Sequence, residues 1–201
     1  VLEEIDSDKK YFILTNIKPS YASKLIAEMS SDDVADLLGD LEEEEKKRIL
    51  SLIGENEQAD LKDLLAYGKN TAGGRMTTEY IAFPKDLKAK DALNKLGELA
   101  LDAETIYYVF AVDSEGRLVG VVSLRDLILA PEQTPIKDFM QTDLKKVNAL
   151  SDQEEVARLI KKYGFLALPV VDNDNVLLGI VTVDDAITVV EEETTEDILK
   201  L

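Results

Sequence analysis

The 201-residue chain contains no cysteine, no histidine and no tryptophan. Without cysteine it has no disulfide, no iron–sulfur or zinc-finger site and no thiol nucleophile. Without histidine it has no imidazole base, no Ser-His-Asp triad and no histidine-ligated metal. Its sequence also has no run of about 18 apolar residues, the length that a membrane-spanning helix requires. These absences exclude several classes of enzyme and of soft-metal site.

Acidic residues dominate the charge of the chain, with 41 Asp and Glu against 23 Lys and Arg, a net charge of −18. Such a chain lacks the basic face that binds nucleic-acid phosphates, so we expect no nucleic-acid partner. Carboxylate oxygens instead suit hard cations such as Mg²⁺ and Ca²⁺. The hydrophobic content of 45% is that of a globular protein, and the length predicts one or two domains.

The first 70 residues read as a succession of short helices. Amphipathic stretches follow polar starts near residues 19, 30, 42 and 55, a spacing typical of helical repeats. Helices this short are unstable alone and must stack on one another. We therefore predict an all-α helical-repeat domain over residues 1–70. Because the sequence opens at Val1 on a pattern typical of a helix interior, we also expect a fragment of a longer protein.

From Met76 onward the chain repeats one pattern twice. In each unit a helix is followed by two apolar strands and a second helix, with Gly120 and Gly179 at matching places in the second strand. The predicted helices and strands cover residues 86–96, 106–113 and 118–122, then 151–163, 167–172 and 177–181. The predicted fold class is α+β, with two tandem β-α-β-β-α units over residues 71–132 and 133–190 and an acidic segment at 191–201.

Particular strings in this half resemble a known family. Glycine, two apolar residues and Ser/Thr-x-x-Asp are typical of tandem cystathionine-β-synthase (CBS) domains. Four further strings resemble the cytosolic part of MgtE-type magnesium transporters: Thr71–Thr77, Asp102–Tyr108, Asp152–Arg158 and Thr194–Ile198. The helical half is similar to that family's N-terminal superhelical domain.

The resemblance implies a regulatory region rather than an enzyme. It implies a position at the cytoplasmic face of the cell membrane and a homodimer formed through the CBS domains. It also implies a transmembrane pore domain, absent here, joined by a connecting helix that begins in residues 191–201. In this interpretation Mg²⁺ bridges acidic domain surfaces and favours the closed pore, since like charges repel unless a cation binds between them.

Several carboxylates are candidate Mg²⁺ ligands by this resemblance. Asp185 is the first, although Thr182 and Asp185 also fit a helix capping box. Asp32 and Asp36 share one helix face, which is equally consistent with a solvated acidic surface. Glu193, Glu196 and Asp197 project together from the connecting segment, unless this is only a flexible acidic terminus. Asp152 and Glu154 complete the set, although each alone is better explained by helix capping after Ser151.

An adenine nucleotide such as ATP is the alternative ligand, and a nucleotide-sensing CBS module is the alternative function. By resemblance, Asp126 would contact the ribose and Arg125 the phosphates, while Tyr108 and Phe165 would stack on the base. Core packing is the competing explanation for both aromatic residues. The sequence has no P-loop, so we expect no nucleotide hydrolysis.

Two positions depart from the family pattern. Relatives commonly carry aspartate where this chain has Gly164 and Thr188, so we expect fewer bound Mg²⁺ ions and a weakened nucleotide cleft. The apolar helix that follows the second strand of each unit predicts a dimer, because such a face needs a partner.

Overall fold

The computed structural model describes residues 5, 7–54, 58, 61, 64–101 and 103–199, with side chains in the last helix described to Thr195. The polar helix start predicted at residues 55–57 lies outside these residues, as do the side chains of Glu196 and Asp197.

The N-terminal part is a stack of short helices that bury one apolar stripe each. Four of them are fully described: α1 (Ser7–Asn16), α2 (Pro19–Ala27), α3 (Ser31–Asp40) and α4 (Glu43–Leu50). A capping box formed by Glu42 and Glu45 starts α4. Leu14, Leu38 and Ile49 are almost fully buried in one shared core, so the short helices stabilise each other as predicted. We call this part the helical unit.

The rest of the chain folds into two similar β-α-β-β-α units, here named repeat 1 and repeat 2. In each three-stranded sheet the first strand runs parallel to the second, and the second pairs antiparallel with the third. Repeat 1 comprises β1 (Ala82–Pro84), α5 (Ala89–Leu99), β2 (Tyr108–Val112), β3 (Leu118–Ser123) and α6 (Leu124–Leu129). Repeat 2 comprises β4 (Val147–Asn148), α7 (Gln153–Tyr163), β5 (Ala167–Val171), β6 (Leu177–Thr182) and α8 (Val183–Leu199).

Two predicted helix starts were wrong by a few residues. The helix predicted from Asp86 begins at Ala89, because Asp86 lies in a turn closed by the Leu87 N–H and the Pro84 carbonyl, and Lys88 is bridged to Pro135. The helix predicted from Ser151 begins at Gln153. Its cap is Asp152, whose Oδ1 accepts a hydrogen bond from the Glu154 backbone N–H at 2.8 Å.

The two repeats are interlocked by an exchange of segments. Thr77, at the start of repeat 1, pairs with Ile180 of β6, while Gln141, at the start of repeat 2, pairs with Val121 of β3. A Cβ atom on Gly179 would lie 2.6 Å from the Thr77 carbonyl oxygen, so glycine is required for this close approach. The repeats therefore form a single folded body.

Residues 70–73 fasten the helical unit to repeat 2. The backbone N–H groups of Ala72 and Gly73 donate to the carbonyls of Ser151 (2.7 Å) and Ala149 (2.8 Å), and that of Gln153 donates to the Asn70 carbonyl (3.0 Å). The last helix, α8, then continues unbroken from repeat 2 into the acidic segment that begins at residue 191.

Candidate functional site

Ser31 holds the first turn of α3 against the single body formed by repeats 1 and 2. We call it the CBS body, after the resemblance noted from the sequence. Ser31 Oγ accepts a hydrogen bond from the Thr78 backbone N–H at 3.0 Å and lies 3.2 Å from Thr77 Oγ1. Because Thr77 is itself paired with Ile180 near the end of β6, this contact brings α3 to the junction between β6 and α8. Asp32 and Asp185 lie in the first turns of α3 and α8, near enough for the charge of Asp185 to act on Asp32 across the interface.

Asp32 is the least satisfied carboxylate of this interface. Its Oδ1 atom is buried, and among the described side chains it is the buried polar atom without a hydrogen-bond partner. Burial first, and the charge of Asp185 second, raise the pKa of Asp32 from 3.8 to about 8, against the opposing hydrogen bond from Ser30. Asp32 Oδ1 therefore lacks a compensating partner among the residues that the structure describes.

Asp185 forms part of the capping arrangement considered for it from the sequence. Thr182 precedes the first residue of α8, and both its hydroxyl and its backbone N–H are hydrogen-bonded to the Asp185 carboxylate, which is the carboxylate half of a capping box. Burial chiefly, helped by the charge of Asp184, raises the pKa of Asp185 from 3.8 to about 6. One carboxylate has acceptor capacity beyond the cap, so Asp185 remains able to bind a cation.

Asp36 lies beside a guanidinium rather than beside Asp185. Arg75 Nη1 is 3.5 Å from Asp36 Oδ2, and the same guanidinium pairs with Glu192 and donates to Gln153 Oε1 at 3.0 Å. Burial raises the pKa of Asp36, while Arg75 and then Lys69 oppose that shift. The sequence interpretation missed Arg75, although it stands in one of the strings that carried the resemblance.

The remaining acidic candidates have other partners or stand apart. Glu193 Oε1 accepts a hydrogen bond from Gln153 Nε2 at 2.6 Å. Asp152 and Glu154 are exposed at the start of α7, where Asp152, rather than the Ser151 of the expected capping box, is the cap. The side chains of Glu196 and Asp197 lie outside the described residues.

The residues present fit Mg²⁺, but with few protein ligands. In the described part of the chain, no three acidic side chains converge closely enough to hold a metal ion. Mg²⁺ commonly keeps several waters and binds through one or two carboxylates. Asp32, with its unpartnered buried oxygen, and Asp185 supply that number, and Mg²⁺ would supply the positive charge that the pair lacks.

The predicted nucleotide residues fall into two places. Tyr108 and Phe165 line one cleft of about 230 Å³ between the repeats, together with Lys145 and Asp143. Phe165 also stacks on Tyr163, with ring centroids 5.4 Å apart. Arg125 and Asp126 are exposed on α6, outside the residues that line the cleft, and Asp126 is hydrogen-bonded to Ser123.

The two positions that depart from the family pattern have local explanations. Gly164 ends α7 with φ of 66°, a left-handed conformation that glycine adopts without strain. Thr188 is exposed on α8, three residues after Asp185, and its hydroxyl donates to the Asp184 carbonyl.

Comparison with known proteins identifies the family. Residues 1–70 match the MgtE intracellular N domain, and residues 72–132 and 136–192 match the CBS domain. The chain superposes on a crystal structure of the soluble part of a magnesium transporter with a TM-score of 0.90 and 43% identity. That alignment covers 96% of this chain and 76% of that structure. The chain belongs to the MgtE family.

Other MgtE proteins are similar over nearly all of the chain. The magnesium transporter MgtE of Thermus thermophilus is 41% identical over 226 aligned residues, which cover 99% of this chain and 50% of the transporter. A structure described as the cytosolic domain of the Mg²⁺ channel MgtE in complex with ATP has a TM-score of 0.89 and 39% identity. It covers 94% of this chain, which in turn covers 77% of that structure.

These comparisons confirm the resemblance and the α+β fold, and the MgtE relatives are transporters rather than enzymes, as expected. The chain spans about half the length of the curated relatives it matches. Among the described residues, no helix combines the length and apolar character needed to cross a membrane.

The raised pKa of Asp32 gives a stability prediction for the metal-free protein. A raised carboxyl pKa favours the folded state below the unfolded value of 3.8, and this stabilisation is lost as the pH rises towards 8. Asp32→Asn removes that loss. In EDTA, its melting temperature should therefore exceed that of the wild type by an increasing margin from pH 4.5 to pH 8, measured by circular dichroism.

The exposed Asp91 in the first turn of α5 provides the matched control. Asp91→Asn should show no such increasing margin. A constant difference between Asp32→Asn and the wild type across this pH range would contradict the prediction.

Proposed function

We propose that this chain is the Mg²⁺-sensing regulatory region of a magnesium transporter, located at the cytoplasmic face of the membrane and coupled to a transmembrane pore domain. The observation that carries the proposal is the unpartnered, buried Asp32 Oδ1 beside Asp185, at the contact between the helical unit and repeat 2. A bound divalent cation stabilises the ionised form of both side chains, whereas without the ion Asp32, with its raised pKa, either stays protonated or, once ionised, is repelled by Asp185. Mg²⁺ therefore favours the closed arrangement of the two parts.

The coupling to the pore follows from differential binding. An ion that binds the closed interface more tightly than the open one shifts the population towards the closed form. When the cytosolic Mg²⁺ concentration falls, the helical unit separates from repeat 2 and the pore is released. With Gly164 and Thr188 in place of carboxylates, this chain binds fewer ions than the family pattern implies. In this proposal the chain consists of the helical domain at 1–70 and the two repeats at 71–132 and 133–190. Residues 191–201 begin the connecting helix to the pore domain.

The test is a Mg²⁺ titration followed by small-angle X-ray scattering. The radius of gyration of the wild type should fall as Mg²⁺ reaches millimolar concentration, and Asp185→Asn should need far more Mg²⁺ or fail to contract. NaCl at matched ionic strength separates bridging by the ion from general screening, and Asp91→Asn is the neutral control. Equal contraction of Asp185→Asn and the wild type would exclude this role for Asp185.

We further propose that the chain forms a homodimer through its CBS body. Some apolar residues of the predicted dimer faces are buried within the chain, including Leu127 and Val189, but Ile128 and Leu129 on α6 and Ile187 on α8 remain largely exposed. A groove of about 410 Å³ runs between α7 and α8 beside Ile187. A twofold pairing covers such faces on both copies at once.

Ile187→Glu should convert the dimer into a monomer in sedimentation velocity, because it places a charge in the apolar contact. Phe12→Glu, which alters an exposed apolar residue of the helical unit, should leave the dimer intact. A wild type that sediments only as a monomer at high concentration would contradict the dimer.

ATP is the second ligand that we propose, because the cleft between the repeats brings Tyr108 and Phe165 together and a similar structure is described as an ATP complex. The cleft is smaller than the roughly 300 Å³ at the lower end of small-molecule sites, so binding requires a small adjustment. Isothermal titration calorimetry should detect ATP binding that Phe165→Ala abolishes and Tyr108→Ala weakens. Exposed Leu101→Ala is the control, and no heat with ATP, ADP or AMP would exclude the cleft as a nucleotide site.

A further inference from the structure

Arg75 is the buried cation of the interface between the helical unit and the CBS body. Its side chain is only 9% exposed, whereas its two carboxylate partners, Asp36 and Glu192, keep 36% and 46% exposure. These partners come from α3 and α8, so one guanidinium connects the helical unit to the last helix. Loss of the ion pairs would therefore cost more at the buried guanidinium than at its exposed partners, because an unpaired buried charge is strongly destabilising.

Gln153 extends this contact to a fourth element. It is 3% exposed at the start of α7, accepts a hydrogen bond from Arg75 Nε and donates one to Glu193. The planar guanidinium thus contacts three groups from three elements, a geometry that the single ammonium of lysine reproduces poorly. Arg75 itself is held in place because neighbouring Ala72 and Gly73 are hydrogen-bonded to repeat 2.

Two parts of the same interface therefore differ in how their negative charge is compensated. Asp36 and Glu192 are compensated by a cation that is covalently attached and charged at all physiological pH values. Asp32 and Asp185 have no such cation among the described side chains, apart from Lys10, which is 3.8 Å from the neighbouring Asp33. The first part therefore has a cation without any bound divalent ion, and the second part does not.

We propose that Arg75 is a permanent cation of this interface, which holds α3 against α8 when no divalent ion is bound and thereby lowers the Mg²⁺ concentration needed for closure. The claim that Arg75 holds α3 against α8 without a divalent ion rests on the Arg75 contacts alone. Only the claim that it lowers the Mg²⁺ concentration needed for closure rests on the proposed Mg²⁺-sensing function. Arg75 acts here as a positioning residue, since it brings Asp32 and Asp185 close enough for one ion to bind both.

The absence of cysteine makes the test direct, because two introduced cysteines are the sole labelling sites. Lys24→Cys in the helical unit and Asp138→Cys in the segment before β4 of repeat 2 replace exposed residues and accept spin labels. Labelled protein is diluted into unlabelled protein so that distances within one chain are measured by double electron–electron resonance. In EDTA, Arg75→Gln should shift the distance distribution to longer and broader values than in the wild type.

Lys90→Gln is the matched control, because it breaks the exposed 2.9 Å ion pair with Glu132 inside repeat 1. A distribution for Arg75→Gln that equals the wild type in EDTA would overturn the proposal, as would an equal shift in Lys90→Gln. If Arg75→Gln fails to fold, adding Asp36→Asn and Glu192→Gln removes the unpaired charges. This triple variant should fold and still give the longer distances, whereas wild-type distances would overturn the proposal.

The same samples titrated with Mg²⁺ test the claim about the Mg²⁺ concentration. Arg75→Gln should require about tenfold more Mg²⁺ for half-closure, a change that corresponds to about 1.4 kcal/mol. Arg75→Lys, which keeps the charge, should lie between the two. If the Mg²⁺ concentration for half-closure is the same in Arg75→Gln and the wild type, the effect of Arg75 on that concentration is rejected, and the result in EDTA still stands. If Mg²⁺ leaves the distances in the wild type unchanged, the proposed Mg²⁺-sensing function is rejected instead.

Discussion

The structure depends on one electrostatic constraint: acidic side chains at a buried domain contact require a nearby positive charge. Because the chain has a net charge of −18, this requirement arises readily where two of its surfaces come into contact. At Asp36 and Glu192 the charge comes from Arg75, but Asp32 Oδ1 has no partner within the described residues. This imbalance is the basis for the proposed sensitivity of the contact between the helical unit and repeat 2 to dissolved cations.

The repeats could be predicted from the sequence because their signals are local. Apolar alternation bounded by the turns near Gly116 and Asn175 places β2, β3, β5 and β6 to within about two residues, since strand pairs joined by short turns have little freedom in register. The helix starts at Ala89 and Gln153 were less accurate, because several polar residues precede each helix and any of them can act as the cap.

The site was only partly predictable, for the opposite reason. Asp185 and Asp32 were named through the family resemblance, but neither burial nor the missing partner of Asp32 Oδ1 has a local signature in sequence. Arg75 meets Asp36 across 39 residues and Glu192 across 117, and no periodicity reports such contacts. The clue that was available is a lone arginine within the glycine-containing string that joins the helical unit to the repeats.

The exchange of segments between the repeats has a mechanical consequence. Since Thr77 is paired into β6 and Gln141 with Val121 of β3, pulling the repeats apart would break hydrogen bonds in both sheets at once. The helical unit is joined to repeat 2 differently, through the hydrogen-bonded residues 70–73 and through apolar side chains of both parts that pack in one core. The two repeats therefore behave as one body, and under the proposed function an ion bound beside the helical unit would act on that body as a whole.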